Sequence, residues 1–256
     1  MTRAGRLVVI GLGPGDVRFL THETEQALAE ADVLYGYKTY LERVPERAGQ
    51  TRHASDNRQE GERAAAALAH AAEGAHVAVV SGGDPGVFAM AAAVCEQIER
   101  GPATWRELDV KVVPGVTAML AVAARVGAPL GHDFCAISLS DNLKPWALIE
   151  RRLEAAATGG FVIALYNPTS RARPHQLASA FELLSRRLPA ATPVIFGHGV
   201  GRAEERVSVV TLDRAASEPA DMSTCIVIGS PDTRVIERPG RESLVYSPRS
   251  APDASR

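Results

Sequence analysis

Short apolar runs alternate along the chain with longer stretches whose apolar positions recur at helical spacing. The runs cover residues 7–10, 77–80, 110–113, 136–139, 161–165, 194–196, 207–210 and 225–228. They are rich in Val and Ile, and most stop at a turn-forming Gly, Pro or Ser, which is the pattern of buried strands. Between them the helical period appears over residues 21–31, 58–73 (strongly Ala-rich), 87–100, 116–126, 146–157 and 175–188. Strand and helix alternate, so the pattern predicts an α/β protein in which helices pack on sheets. Gly and Pro cluster in GAPLGH at 127–132, after a helix and before a fresh strand. That places a boundary there, with a first domain over 1–130 and a second over 131–246. The polar tail 247–256, rich in Pro, Ala and Ser, is expected to be disordered.

Composition narrows the class of protein. With 46% hydrophobic and 23% charged residues in 256, the chain has the makeup of a globular protein with a real core. A formal net charge of −2 lacks the basic footprint of a nucleic-acid binder. Lys occurs only at 38, 111 and 144, so nearly all positive charge is Arg. The three Cys form no CxxC pair and no cluster with His, so no metal site is expected, and their odd, sparse count fits a reducing compartment. The apolar run near the N-terminus is too short for a signal peptide and no run approaches membrane-spanning length. The expectation is a cytoplasmic protein that binds neither nucleic acid nor membrane.

Three strand ends carry the candidate chemistry. The first reads GLGPGD, residues 11–16. A dinucleotide-binding loop would need G-x-G-x-x-G, but Asp16 stands at the third Gly position and Pro14 has no N–H to offer a phosphate. The second, SGGDPGVFAMA at 81–91, opens a helix; Gly82 and Gly83 permit close backbone approach, and Asp84 and Pro85 suit a capped first turn. The third, VVPGVTA at 112–118, adds the hydroxyl of Thr117. Each is also what a plain strand-to-helix turn requires. Three such turns at the carboxyl ends of neighbouring strands build the crevice in which open α/β sheets bind ligands. No G-x-x-x-x-G-K-[ST] occurs, which excludes a P-loop enzyme.

GLGPGD, GGDPGVF and PGVTA, in this order and spacing, resemble the tetrapyrrole methylases, and the resemblance runs to about Arg238. It implies a two-domain fold, each domain a mixed sheet flanked by helices, with the active site in the inter-domain cleft. It also implies S-adenosylmethionine as methyl donor, S-adenosylhomocysteine as its product, a polycarboxylate tetrapyrrole as substrate and a homodimer. On this resemblance Pro14, Gly82, Gly83, Asp84, Val87, Phe88, Thr117 and Ala118 contact the donor. From the second domain Tyr166, Asn167, His198, Gly199, Val200, Ser223 and Thr224 join them. Three further segments, ASDNRQE at 54–60, HDFCAISLSDNLKPW at 132–146 and LYNPTSRARPHQL at 165–177, are similar to the ring-contracting members. Those methylate carbon 17 of precorrin-3B, or of its cobalt-containing counterpart, in cobalamin biosynthesis.

Methyl transfer from an activated donor asks mainly for alignment and exclusion of water, so no catalytic triad is expected. Ring contraction needs proton transfers, for which Asp56, Asp141, His175 and His198 are the candidates. A polycarboxylate ligand calls for guanidinium forks. Asn57, Arg58, Arg63, Lys144, Arg171 and Arg173, in or beside these three segments, are the expected substrate contacts. Other members of the family, acting on precorrin-4 or uroporphyrinogen III, remain open at this point. So do a nicotinamide oxidoreductase and a non-catalytic α/β binding module.

Overall fold

The computed structural model describes residues 5–56 and 59–250. The chain forms two compact units, residues 1–117 and 118–256. The first contains β1 (Arg6–Gly11), α1 (His22–Glu30), β2 (Val33–Tyr37), α2 (Lys38–Leu41), β3 (Thr51–Ser55), α3 (Glu60–Ala72), β4 (His76–Ser81), α4 (Met90–Arg100) and β5 (Asp109–Val113). Its sheet runs in the order β3-β2-β4-β1-β5, and every pairing is parallel. The expectation of a mixed sheet is therefore corrected for this unit. Each of its strands but the last is followed by a crossover, which is what a parallel neighbour requires.

The period of two along the strands builds two cores at once. Leu7, Val9, Val77 and Val79 face α3 and α4, against Ala64, Ala67, Leu68, Ala71, Met90 and Val94. Val8, Ile10, Ala78 and Val80 face the other side, against Leu34, Leu41 and Val44. Burial on both faces explains why LVVI and VAVV read as unbroken apolar runs. In α3 the positions 64, 67, 68 and 71 form the apolar stripe of an amphipathic helix. Thr21 caps α1 by accepting from the Thr24 amide at 3.1 Å, and Glu23 and Glu25 in the first turn favour the helix dipole.

The second unit contains α5 (Ala118–Val126), β6 (Gly127–Ala128), β7 (Phe134–Ser138), α6 (Trp146–Thr158), β8 (Val162–Tyr166), α7 (Gln176–Ser185), β9 (Pro193–His198), β10 (Arg206–Thr211), β11 (Thr224–Ile228), β12 (Arg234–Ile236) and β13 (Leu244–Tyr246). The main sheet, β10-β9-β11-β8-β7, is mixed: β7 and β8 are parallel and the other pairs antiparallel. One face packs Ile163, Leu165, Phe196 and Ile226 against Ile149 and Leu153 of α6 and Phe181 and Leu184 of α7. A small sheet, β12-β13-β6, completes the unit.

Two sequence expectations shift here. The division falls before α5, at Thr117 and Ala118, not at 130, because α5 packs on β9 and β11 of the second sheet. Gly197 makes that packing possible, since a Cβ there would lie 2.2 Å from Val122 of α5. The expected disordered tail also begins too early. Ser247 is buried, its hydroxyl 2.8 Å from Thr233 Oγ1 and donating to the Pro129 carbonyl at 2.6 Å. Residues 251–256 lie outside the described residues. Strands β2 and β3 were not legible as runs: β2 is interrupted by Gly36, and β3, TRHAS, is a polar edge strand.

Candidate active site

In the first unit β4, β1 and β5 are consecutive in a parallel sheet, so their carboxyl-end loops lie side by side. These are the three glycine-rich segments. The first two pair with each other: Leu12 N donates to Ser81 O at 2.8 Å, Gly13 N to Gly83 O at 3.1 Å and Gly83 N to Gly13 O at 2.9 Å. Gly13 and Gly83 sit at φ +67° and +65°, a region open to glycine at little cost. The third loop is just as close. A Cβ on Gly115 would lie 2.3 Å from Gly83 O, and one on Gly11 would lie 2.6 Å from the same oxygen. These glycines let loop approach loop.

Asp84 ties the second loop to the third. Its Oδ1 accepts from Gly86 N at 2.8 Å and its Oδ2 from Gly115 N at 3.0 Å. The side chain expected to reach a ligand thus braces the backbone around it. Asp16, the residue at odds with a dinucleotide loop, accepts from Arg18 N at 2.9 Å. That backbone bond is the main cause that lowers its carboxyl pKa; burial opposes it, and the Arg18 guanidinium adds to the lowering. Pro14 and Thr117 are buried, and Gly82 lies against the Tyr40 ring. Val87 is half-buried. Phe88 stands at φ +53° with half of its surface exposed. A bulky aromatic in the left-handed region is an outlier, and such strain clusters at ligand sites.

The second unit gathers its expected residues at one end of its sheet. β7, β8 and β9 all run the same way, and β11 runs against them. The loops after Ser138, Tyr166 and His198 therefore share an edge with Thr224, the first residue of β11. Tyr166 Oη accepts from Met119 N at 3.0 Å, satisfying an amide at the start of α5. Asn167, at φ +52°, donates through Nδ2 to Ser138 Oγ at 2.9 Å. His198 Nδ1 is 3.2 Å from Asp221 Oδ1, which also accepts from Thr224 Oγ1 at 3.1 Å. Gly199 N donates to Ser223 O at 3.0 Å, and Val200 is buried.

The remaining acid–base candidates differ in setting. Asp56 and His175 are exposed, and His175 precedes the first turn of α7. Asp141 is half-buried; its Oδ2 accepts from Gln176 Nε2 at 3.1 Å, and Arg173 Nε lies 4.0 Å from its Oδ1. Only His198 combines partial burial with a carboxylate on one ring nitrogen, the arrangement that orients an acid–base imidazole.

Two of the expected substrate arginines are buried. Arg63 is 5% exposed; it donates from Nε to Ser55 Oγ at 2.7 Å and from Nη2 to Asp56 O at 2.8 Å, with Nη1 3.3 Å from Met90 Sδ. Burial lowers its pKa, while Glu60 and Tyr40 act in the opposite sense. Arg173 is 6% exposed and donates from Nη1 to Leu139 O at 3.3 Å and to Asn167 O at 3.2 Å. Its Nη2 lies 3.6 Å from Met222 Sδ. Both are buried clamps on strand-end loops. Arg171 is exposed. Lys144 is half-buried, and burial, then Arg152, lowers its pKa. Asn57 and Arg58 lie outside the described residues.

A parallel sheet with three interlocked glycine loops at adjacent carboxyl ends is an α/β fold built to hold a small ligand. Residues 6–216 match the family of Tetrapyrrole (Corrin/Porphyrin) Methylases. The precorrin-3B C(17)-methyltransferase of a Sinorhizobium species is 61% identical over 251 residues, 98% of this chain and 99% of that one. A probable cobalt-factor III C(17)-methyltransferase of Salmonella typhimurium is 40% identical over 244 residues, 95% of this chain and 98% of that one. The crystal structure of the methyltransferase CobJ superposes with a TM-score of 0.90 at 48% identity, covering 95% of this chain and all of that one. The chain belongs to the tetrapyrrole methylase family.

Proposed function

We propose that the protein transfers a methyl group from S-adenosylmethionine to carbon 17 of precorrin-3B, with ring contraction to precorrin-4, in cobalamin biosynthesis. The observation that carries this reading is the 61% identity to a precorrin-3B C(17)-methyltransferase over nearly the full length of both chains. The lower identity, 40%, to the cobalt-factor III enzyme favours the metal-free substrate. We place the protein in the cytoplasm as a homodimer.

The donor supplies a sulfonium-bound methyl group that is already activated. A cradle of Gly11, Gly13, Gly83 and Gly115 fits such a ligand, because no side chain projects from the interlocked backbone there. Asp84 holds that backbone rigid, so alignment is built in before the ligand arrives. Gly82, Val87, Phe88 and Thr117 complete our set of donor contacts in the first unit, and Ala118 opens the second. Tyr166, Asn167, Gly199, Val200, Ser223 and Thr224 are our donor contacts in the second. In the methyl step, carbon 17 forms the new bond to the methyl carbon and sulfur retains the electron pair of the bond that breaks. For ring contraction, His198 is our proton-transfer group, held by Asp221 at 3.2 Å. Lys144 and Arg171 remain our carboxylate contacts.

The test is turnover of purified precorrin-3B with methyl-labelled S-adenosylmethionine, read by product mass and ring size. One added methyl and a contracted ring are expected. A labelled product of unchanged ring size would limit the enzyme to methylation, and no labelled product would overturn the reading.

A further inference from the structure

We propose that Arg43, which belongs to none of the glycine motifs, is a positioning residue that shapes the first glycine loop for methyl-donor binding; the inference rests on the donor reading above. Arg43 lies just beyond α2, and its amide donates to Tyr40 O at 3.1 Å. Its side chain reaches under the GLGPGD loop, where Nη2 lies 2.9 Å from each of three carbonyl oxygens, those of Leu12, Gly13 and Gly15.

Three carbonyl dipoles aimed at one point repel one another unless a cation stands there. A guanidinium supplies that charge permanently, and hydrogen bonds from it are stronger than neutral ones. The loop is therefore curled around Arg43, with Gly13 at φ +67° permitting the bend. Both partners of Gly83 in the second loop are atoms of this curled segment, the Gly13 N–H and carbonyl. The Gly13 carbonyl is shared between Gly83 N and Arg43, so the arginine also fixes where the second loop attaches. Without the cation the three carbonyls would turn apart and carry the Gly13–Gly83 pairing with them. Arg43 thus acts on the donor through backbone geometry and touches no reacting atom.

Two variants separate this role from a general contribution to stability. Arg43→Met keeps the length of the side chain and removes charge and donors. In the folded variant, S-adenosylhomocysteine should bind at least tenfold more weakly by titration calorimetry. The KM for the methyl donor should rise accordingly, with the KM for precorrin-3B unchanged. Arg43→Lys restores the charge without the fork and should fall between wild type and Arg43→Met. A folded Arg43→Met that binds within twofold of wild type overturns the proposal, as does an equal rise in both KM values. If Arg43→Met fails to fold, Arg43→Lys decides: a loss of threefold or more supports the role and a loss under twofold overturns it. Failure of the wild-type protein to bind S-adenosylhomocysteine would instead strike the donor reading itself.

Discussion

Replacing Arg173 by Ala should cost stability before it costs substrate affinity. Arg173 is 6% exposed, and its guanidinium joins the ends of two parallel strands, bonding Leu139 O after β7 and Asn167 O after β8. It also stands 4.0 Å from Asp141 and 3.6 Å from Met222 Sδ. Truncation leaves two carbonyl oxygens without these donors and a half-buried carboxylate without its cation. A hydrogen bond to a charged group contributes about 1.5–3 kcal/mol, and the 4.0 Å contact with half-buried Asp141 adds less than a fully buried ion pair would. The contacts overlap, so about 3–5 kcal/mol is the expected total, with water entering the space pulling toward the lower end. In a protein of this size 1 kcal/mol moves the melting temperature by about 2–4 °C, giving a drop of roughly 6–20 °C. Thermal and urea unfolding followed by circular dichroism would measure it. Arg171→Ala serves as control and should stay within about 0.5 kcal/mol of wild type, as exposed positions do. If Arg173→Ala melts within 2 °C of wild type while the KM for precorrin-3B rises tenfold, Arg173 grips the ligand and the clamp assignment is wrong.

Gly115→Ala places a methyl group 2.3 Å from Gly83 O and 2.9 Å from Gly11 Cα, both backbone atoms that cannot yield alone. It should lower the melting temperature and abolish measurable S-adenosylhomocysteine binding; wild-type binding in calorimetry would show that the loops need not touch. His53 on β3 stacks on Tyr35 of β2 at 4.6 Å and faces His70 of α3 at 5.3 Å, while Tyr35 Oη lies 2.7 Å from His70 Nδ1. Burial, then the charge of His70, lowers the His53 pKa from its ordinary 6.5, and burial, then the Glu73 carboxylate, raises that of Tyr35. The fold therefore favours neutral His53, so its contribution is fully present above pH 6.5 and is lost as pH falls through the lowered value. Melting temperatures between pH 7.5 and 5 should fall more steeply in wild type than in His53→Gln, and parallel curves would remove this cluster from the acid response.

Much of this architecture is written locally. Alternating residues Leu7, Val8, Val9 and Ile10 mark a strand buried on both faces, and Ala64, Ala67, Leu68 and Ala71 mark one side of α3. Glycine-rich turns after three of those strands mark a ligand-binding edge, because positive φ and close approach are properties of single residues and short segments. Arg63 was legible in principle: it sits four residues before Ala67, inside the stripe that faces the sheet, where a long cation must be clamped by buried acceptors. Arg173 and Arg43 carry no such signal, since neither has a periodic neighbourhood that says which way the side chain turns. Their roles depend on which loops stand beside them. The ends of β7 and β8, or the GLGPGD loop 28–31 residues before Arg43, are brought into reach only by the folded chain. The same is true of Gly83 between Gly11 and Gly115. Nothing in the spacing of residues 11, 83 and 115 requires β4, β1 and β5 to be consecutive; the sheet order decides it, and a close approach of backbones then forbids a Cβ that the sequence alone would have tolerated.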